Sequence, residues 1–215
     1  MSRSIQSLPL AAVLALLPAA APAHPHVFIA TGLAAVTDDA GMLLGVEVTW
    51  EYDDYYSLLI FEDMGLDADF DGVLTAEELA ALQGFDLQWD AGFEGDTYLT
   101  RDGAPLRLGA PEARQTTVAE GRIRSRHFRP LAEPVAAEGV VIQAYDPTYY
   151  SAYTVSLGAS AGPGCAAEVT PPDLDRAYSL VEELLYAMPA DAGEEAYPEV
   201  GAAFADTVRL TCAGS

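Results

Sequence analysis

Residues 26–52 read HVFIATGLAAVTDDAGMLLGVEVTWEY. The second half of this stretch decides the fold class. Leu44, Val46, Val48, Trp50 and Tyr52 alternate with Gly45, Glu47, Thr49 and Glu51, which is the period of a strand with one wet face. His26 to Thr37 is rich in Val, Ile and Ala, and Asp38-Asp39-Ala40-Gly41 between the two segments is turn chemistry. The pair predicts a hairpin.

Outward from the hairpin the pattern changes. Asp54 to Leu66 turns helical, with Tyr55, Leu58, Leu59 and Phe61 spaced for one face. Beyond residue 84 strands return, at 96–108 around an Arg-Asp-Gly-Ala turn, at 115–128 and at 140–157. Thr170-Pro171-Pro172-Asp173 predicts a helix start with Thr170 as the cap. Leu174, Ala177, Tyr178, Val181, Leu184, Leu185 and Met188 form its apolar stripe, and Pro189 ends it. Residues 190–203 read as an acidic loop. The last strand, 205–212, puts Asp206, Val208, Leu210 and Cys212 on one face.

The helical stretch contains DADFDGVLTAEE, Asp67 to Glu78. A twelve-residue EF-hand calcium loop wants oxygen ligands at positions 1, 3 and 5, Gly at 6, a backbone carbonyl at 7, a polar group at 9 and a bidentate Glu at 12. Asp67, Asp69, Asp71, Gly72, Val73, Thr75 and Glu78 fill those positions. Carboxylates facing one point repel unless a divalent cation sits among them, and calcium, a hard ion that prefers oxygen, is the natural occupant. The competing reading is an acidic loop that merely caps a helix. The expected fold is α+β: an antiparallel β-sheet core, an EF-hand-like helical insert at 54–84 and one C-terminal helix.

At the other end, residues 1–23 have the form of a secretory signal peptide. Arg3 supplies the positive n-region, Leu8 to Leu17 the apolar core, and Ala21-Pro22-Ala23 the cleavage site. The apolar run falls short of the roughly 20 residues that span a bilayer. The expected mature chain is a single domain, 24–215, periplasmic and not membrane-spanning. The formal net charge is -23, with 33 acidic residues against 10 Arg and no Lys. Nucleic acid is excluded as a partner for such a surface, and an anionic membrane is disfavoured. Cations suit it. Cys165 and Cys212, far apart and in an oxidising compartment, read as a structural disulfide rather than a thiolate metal pair.

Cleavage after Ala23 makes His24 the first residue. Its amine and ring can chelate one metal, and His26, two residues on, points to the same side of an extended chain. Pro25 has no N–H, which argues against a square-planar motif built on successive deprotonated amides. One amine and two imidazoles suit Zn2+, Ni2+ or Cu2+. The alternative is a polar start to an edge strand. The third histidine, His127, lies in GRIRSRHFRP. Arg122, Arg124 and Arg126 share one strand face there and should meet carboxylates of their own fold. Ile123, Ser125 and His127 share the other, and His127 is expected to be buried and hydrogen-bonded, the alternative being that it completes the metal site.

HPHVFI after the leader, VTWEYDDYYSLLI, DADFDGVLTAEEL, YDPTYYSAY at 145–153 and ADTVRLTC at 205–212 follow one another in an order that resembles a bacterial family, domain of unknown function 1007. The resemblance covers nearly all of the mature chain. It implies a periplasmic accessory protein of metal uptake or export, working beside a nickel/cobalt- or zinc-type membrane permease. It points to His24, His26 and the Asp67–Glu78 loop, and it implies no settled activity. The function read here is that of a metal-binding accessory protein of a transition-metal (Ni/Co/Zn) transport system, with a structural calcium loop. One alternative is a copper-dependent redox enzyme using an N-terminal histidine brace. Another is a calcium-stabilised interaction module without a transition metal. There is no Gly-x-Ser-x-Gly or His-Glu-x-x-His motif, and no free cysteine once the disulfide forms, so the binding-protein reading is preferred to an enzyme.

Overall fold

The alternation over residues 42–52 becomes a strand of the first sheet. The computed structural model describes residues 25–189 and 197–213; the expected leader, 1–23, lies outside them. Strand β1 (Val27–Thr37) pairs antiparallel with β2 (Met42–Tyr52), as the turn chemistry requires. Val46, Val48, Trp50 and Tyr52 are buried as their spacing implies. Leu44 is not. Against β1 the neighbours Val36 and Thr37 pair with Gly45 and Leu43, so Leu44 is the extra residue of a one-residue bulge that turns it outward and Leu43 into the core. A Cβ at Gly45 would lie 2.4 Å from the Arg129 carbonyl oxygen, so the bulge needs glycine.

The chain is α+β, with two five-stranded, mostly antiparallel sheets and four short helices among the described residues. In the first sheet β5 (Glu112–Ala119), β6 (Arg122–Ala136), β2, β1 and β8 (Ser151–Ala161) lie in that order. In the second the order is β4 (Ala104–Leu106), β3 (Thr97–Arg101), β7 (Val140–Ala144), β10 (Thr207–Cys212), β9 (Cys165–Thr170). Strand β8 runs parallel to β1, which no local pattern predicts. Asp102-Gly103 and Glu120-Gly121 take positive φ at both central residues, the backbone of tight hairpin turns. Val46, Val48 and Ile123 of the first sheet and Leu99, Ile142, Val208 and Leu210 of the second join one apolar core.

The outer face of the first sheet carries charge instead. Arg122 binds Asp54, Arg124 binds Glu51 and Arg126 binds Glu47, so the arginine row does meet carboxylates of its own fold. These pairs are solvated and add little to stability. On the opposite face Ile123, Ser125 and His127 are buried.

Helix α1 (Asp54–Met64) starts at Asp53, whose carboxylate accepts from Tyr56 N, and ends at Gly65 in the left-handed conformation. Its expected inward face is corrected. Ser57 and Phe61 are buried, whereas Tyr55, Leu58 and Leu59 are exposed. The cause is a close approach: Ile123 N donates to Ser57 Oγ at 3.0 Å, which seats the helix on β6 through its smallest side chain. Helix α2 (Ala76–Leu82) follows the acidic loop. The later helix, α3 (Leu174–Ala187), is capped by Asp173 rather than Thr170, which is the last residue of β9. A short helix, α4 (Gly201–Phe204), was not foreseen; with Ala177, Val200 and Phe204 it forms a second, smaller core.

Candidate functional site

The loop from Asp67 to Glu78 leaves α1 through Gly65 and enters α2 through Thr75. Asp67, Phe70 and Gly72 take positive φ, which curls the backbone back on itself. Ligand oxygens of Asp67, Asp69 and Asp71 then fall within 4.8 Å of one another. Calcium–oxygen distances of 2.3–2.6 Å allow oxygens of one shell to lie up to about 5 Å apart, so the three fit around one ion. Asp67 is buried; Asp69 and Asp71 are exposed. The Asp67 carboxylate also accepts from Asp71 N and Gly72 N, and Asp71 Oδ1 accepts from Val73 N, which fixes both carboxylates.

Glu78, the twelfth position, does something different. Its Oε1 accepts from Asp67 N at 3.0 Å and its Oε2 from Thr75 N at 2.8 Å and Thr75 Oγ1 at 2.7 Å. Thr75 Oγ1 accepts from Glu78 N in return, closing a capping box. The hydrogen bonds from the Thr75 backbone and side chain hold the Glu78 carboxyl below the usual carboxylate range. Glu78 thus ties the first residue of the loop to the start of α2.

The N-terminal strand docks beside the start of α1. Asp53 joins them, because its Oδ1 accepts from Tyr56 N and its Oδ2 from Phe28 N, both at 2.8 Å, while Asp53 N donates to Phe28 O. His26 N donates to Tyr150 O at 2.8 Å, and the exposed His26 ring lies 4.7 Å from the Tyr150 ring. The start of the strand is therefore brought onto the 145–153 segment. That segment is held by Asp146, which accepts from Thr148 N, Thr148 Oγ1 and Ser151 N, and by Tyr149, which stacks on Phe204 at 4.0 Å. His24 lies outside the described residues. Among those described, the group able to hold a metal is Asp67, Asp69 and Asp71, some way along α1 from His26.

Beneath the first sheet is a buried polar cluster that the sequence reading missed. His127 is fully buried, edge-on to Trp50 at 4.6 Å and Trp89 at 5.8 Å. It is not hydrogen-bonded as expected: both ring nitrogens lack a partner. Burial, reinforced by the nearby Arg129 charge, pushes its pKa down to about 3, so the ring is neutral. Arg129 lies over Trp89 and donates to the Glu94 and Gly109 carbonyl oxygens. Asp86 accepts from Tyr52 Oη and Ser125 Oγ, and burial raises its pKa. Asp96 accepts from Tyr153 Oη at 2.8 Å; burial pushes its carboxyl up to about 7, with the Asp146 charge adding to the rise. The 83–96 segment that carries both acids lacks helical or strand period, so only a short apolar sprinkle (Phe85, Leu87, Trp89, Phe93) hinted that it packs.

Cys165 and Cys212 face each other across β9 and β10 and are joined, with Cα atoms 4.0 Å apart. No helix among the described residues is long and apolar enough to cross a membrane. No curated protein matches the chain. The sheet pairing, the joined cysteines and the docked N-terminal segment all lie within residues 9–212, which match the model of a protein family of unknown function, and the chain belongs to that family, DUF1007.

Proposed function

We propose that this is a periplasmic metal-binding accessory protein of a transition-metal transport system, in which the Asp67–Glu78 loop takes calcium in the manner of an EF-hand. The observation that carries the calcium reading is the convergence of three carboxylate oxygens within 4.8 Å on a loop whose backbone bonds already fix two of the carboxylates. Carboxylates keep free lone pairs beside those bonds, and Asp67, Asp69 and Asp71 would supply the ion's first oxygens. Thr75 and the Val73 carbonyl would add to them. Glu78 would join by giving up part of its cap. An ion there would hold α1 and α2 in place as a brace, at the roughly 10⁻⁴–10⁻³ M affinity of extracellular modules. His24, through its amine and ring, and His26 would hold Zn2+, Ni2+ or Cu2+ for a membrane permease. What supports this is the exposed position of His26 at the start of a strand whose backbone is pinned to Tyr150 and Asp53.

The test uses chelator-stripped mature protein. Millimolar calcium should raise the melting temperature. Glu78→Gln keeps a residue that can close the capping box but loses the bidentate charge, so calcium affinity should fall tenfold or more. Unchanged melting of the wild type in millimolar calcium sinks the loop reading. Separately, zinc, nickel and copper are titrated into the native-start protein and into one carrying an extra residue before His24. Equal binding by both sinks the histidine site and leaves the calcium reading standing.

A further inference from the structure

Helix α3 carries an apolar seam that the described residues cover on one side only. Leu174, Tyr178, Val181, Leu185 and Met188 follow a 4-3-4-3 spacing, the repeat by which one helix packs lengthwise on another. Ala177 and Leu184, beside the seam, and Val181 within it pack into the small cluster of Val200 and Phe204, and the inner edge of the Tyr178 ring meets Phe204 edge-on at 5.2 Å. Along the seam itself Leu174 is 50% exposed, Tyr178 55% and Leu185 43%. On the edge away from that cluster stand Asp175 and Glu182, both exposed and one heptad apart, at positions that flank such a seam and choose its partner by charge. The chain that follows, residues 190–196, reads ADAGEEA and has no large apolar side chain to lay there.

We propose that the outer seam of α3 is a docking surface for an amphipathic, basic helix of another protein. That helix would bring apolar side chains at the same 4-3 spacing, with Lys or Arg beside them to meet Asp175 and Glu182. Charge selects this occupant over a second copy of the chain, whose own seam is edged by the same two acids and whose net charge is -23. The helix is 14 residues long, about 21 Å, so the contact spans two heptads and suits reversible docking. This inference is independent of both metal readings.

The probe is a labelled synthetic helix of about three heptads with Leu along the seam and Lys beside it, and a twin with Glu in place of Lys. Fluorescence anisotropy on the mature protein should show the Lys peptide binding at least tenfold tighter than its twin. Leu174→Ser with Leu185→Ser, both at exposed positions, should weaken the Lys peptide at least tenfold while the circular-dichroism melt stays put. Asp175→Lys with Glu182→Lys should reverse the preference between the two peptides. Leu58→Ser with Leu59→Ser, on the other exposed apolar helix face, should leave binding unchanged. The proposal is overturned if the Lys peptide does not bind, if the α3 serine variant binds it as well as the wild type, or if the α1 variant loses it instead. Self-association of the wild type that the α3 serine variant abolishes would also overturn it, by giving the seam to a second copy.

Discussion

Replacing His127 by Phe isolates the electrostatic cost of a buried ring. In the fold the imidazole stays neutral down to about pH 3, whereas in the unfolded chain it takes its proton near 6.5. Between those limits the unfolded state holds the extra proton, so stability rises with pH. This one group contributes a slope of up to roughly 1.4 kcal/mol per pH unit. Asp96 works the other way. Its carboxyl keeps a proton in the fold up to about 7 but loses it near 3.8 when unfolded, so its contribution falls as pH rises through that window. Asp86, also raised by burial, adds to the Asp96 sign. From about pH 4 to 6.5 the His127 slope is opposed by those of Asp96 and Asp86, so it shows only when the ring is replaced. His127→Phe keeps an aromatic ring against Trp50 and Trp89 and removes two unpartnered nitrogens. At pH 7.5 its stability should match or exceed that of the wild type. At pH 4.5 the variant should lead by about 2 kcal/mol or more. Asp96→Asn should do the reverse and steepen the loss on acidification. Urea unfolding at pH 4.5, 5.5, 6.5 and 7.5, on all three proteins, reads these slopes. Parallel pH profiles for the wild type and His127→Phe would refute the reasoning.

Two further outcomes follow from the tethers. Cys165→Ala with Cys212→Ala should cost about 2–5 kcal/mol in urea unfolding, and thiol titration of the denatured, unreduced wild type should find no free thiol; two free thiols would contradict the joined pair. Asp53→Ala removes both the α1 cap and the acceptor of Phe28 N, so it should destabilise by about 1–2 kcal/mol and speed amide exchange at Phe28 and Tyr56; unchanged exchange at both would contradict the shared carboxylate.

How much of this was legible depended on whether the deciding interaction was local. The β1–β2 hairpin, the arginine row, the strand ending at Cys212 and the paired cysteines were read from alternation, turn chemistry and compartment. The acidic loop was read from spacing, and its three aspartates do converge. What failed turned on contacts between distant residues. Leu44 faces out because a bulge against β1, held where Gly45 meets the distant Arg129 carbonyl, breaks the period. Tyr55, Leu58 and Leu59 face out because Ser57 docks on Ile123, 66 residues away. A helix stripe states which side chains are apolar, not which side the sheet will be on. Strand β9, Ala-rich and weakly patterned, was missed. Asp86 sits in a loop without period and Asp96 just before β3, and only the contacts of Trp89 and Tyr153 reveal that the first is half-buried and the second buried.

The placement of β10 governs when this protein can finish folding. Strand β10 (Thr207–Cys212), which follows all the other described strands in sequence, lies between β7 and β9 rather than at the rim of its sheet. A chain that emerges amino end first, whether from a ribosome or through a membrane pore, can close its first sheet once β8 is out. Its second sheet must wait until β10 is free. Until then β7 and β9 each present an open edge, the kind of surface that pairs with the wrong chain. A product stopped before β10 would not lose a dispensable tail. It would lose the middle of a sheet and the cysteine that locks it.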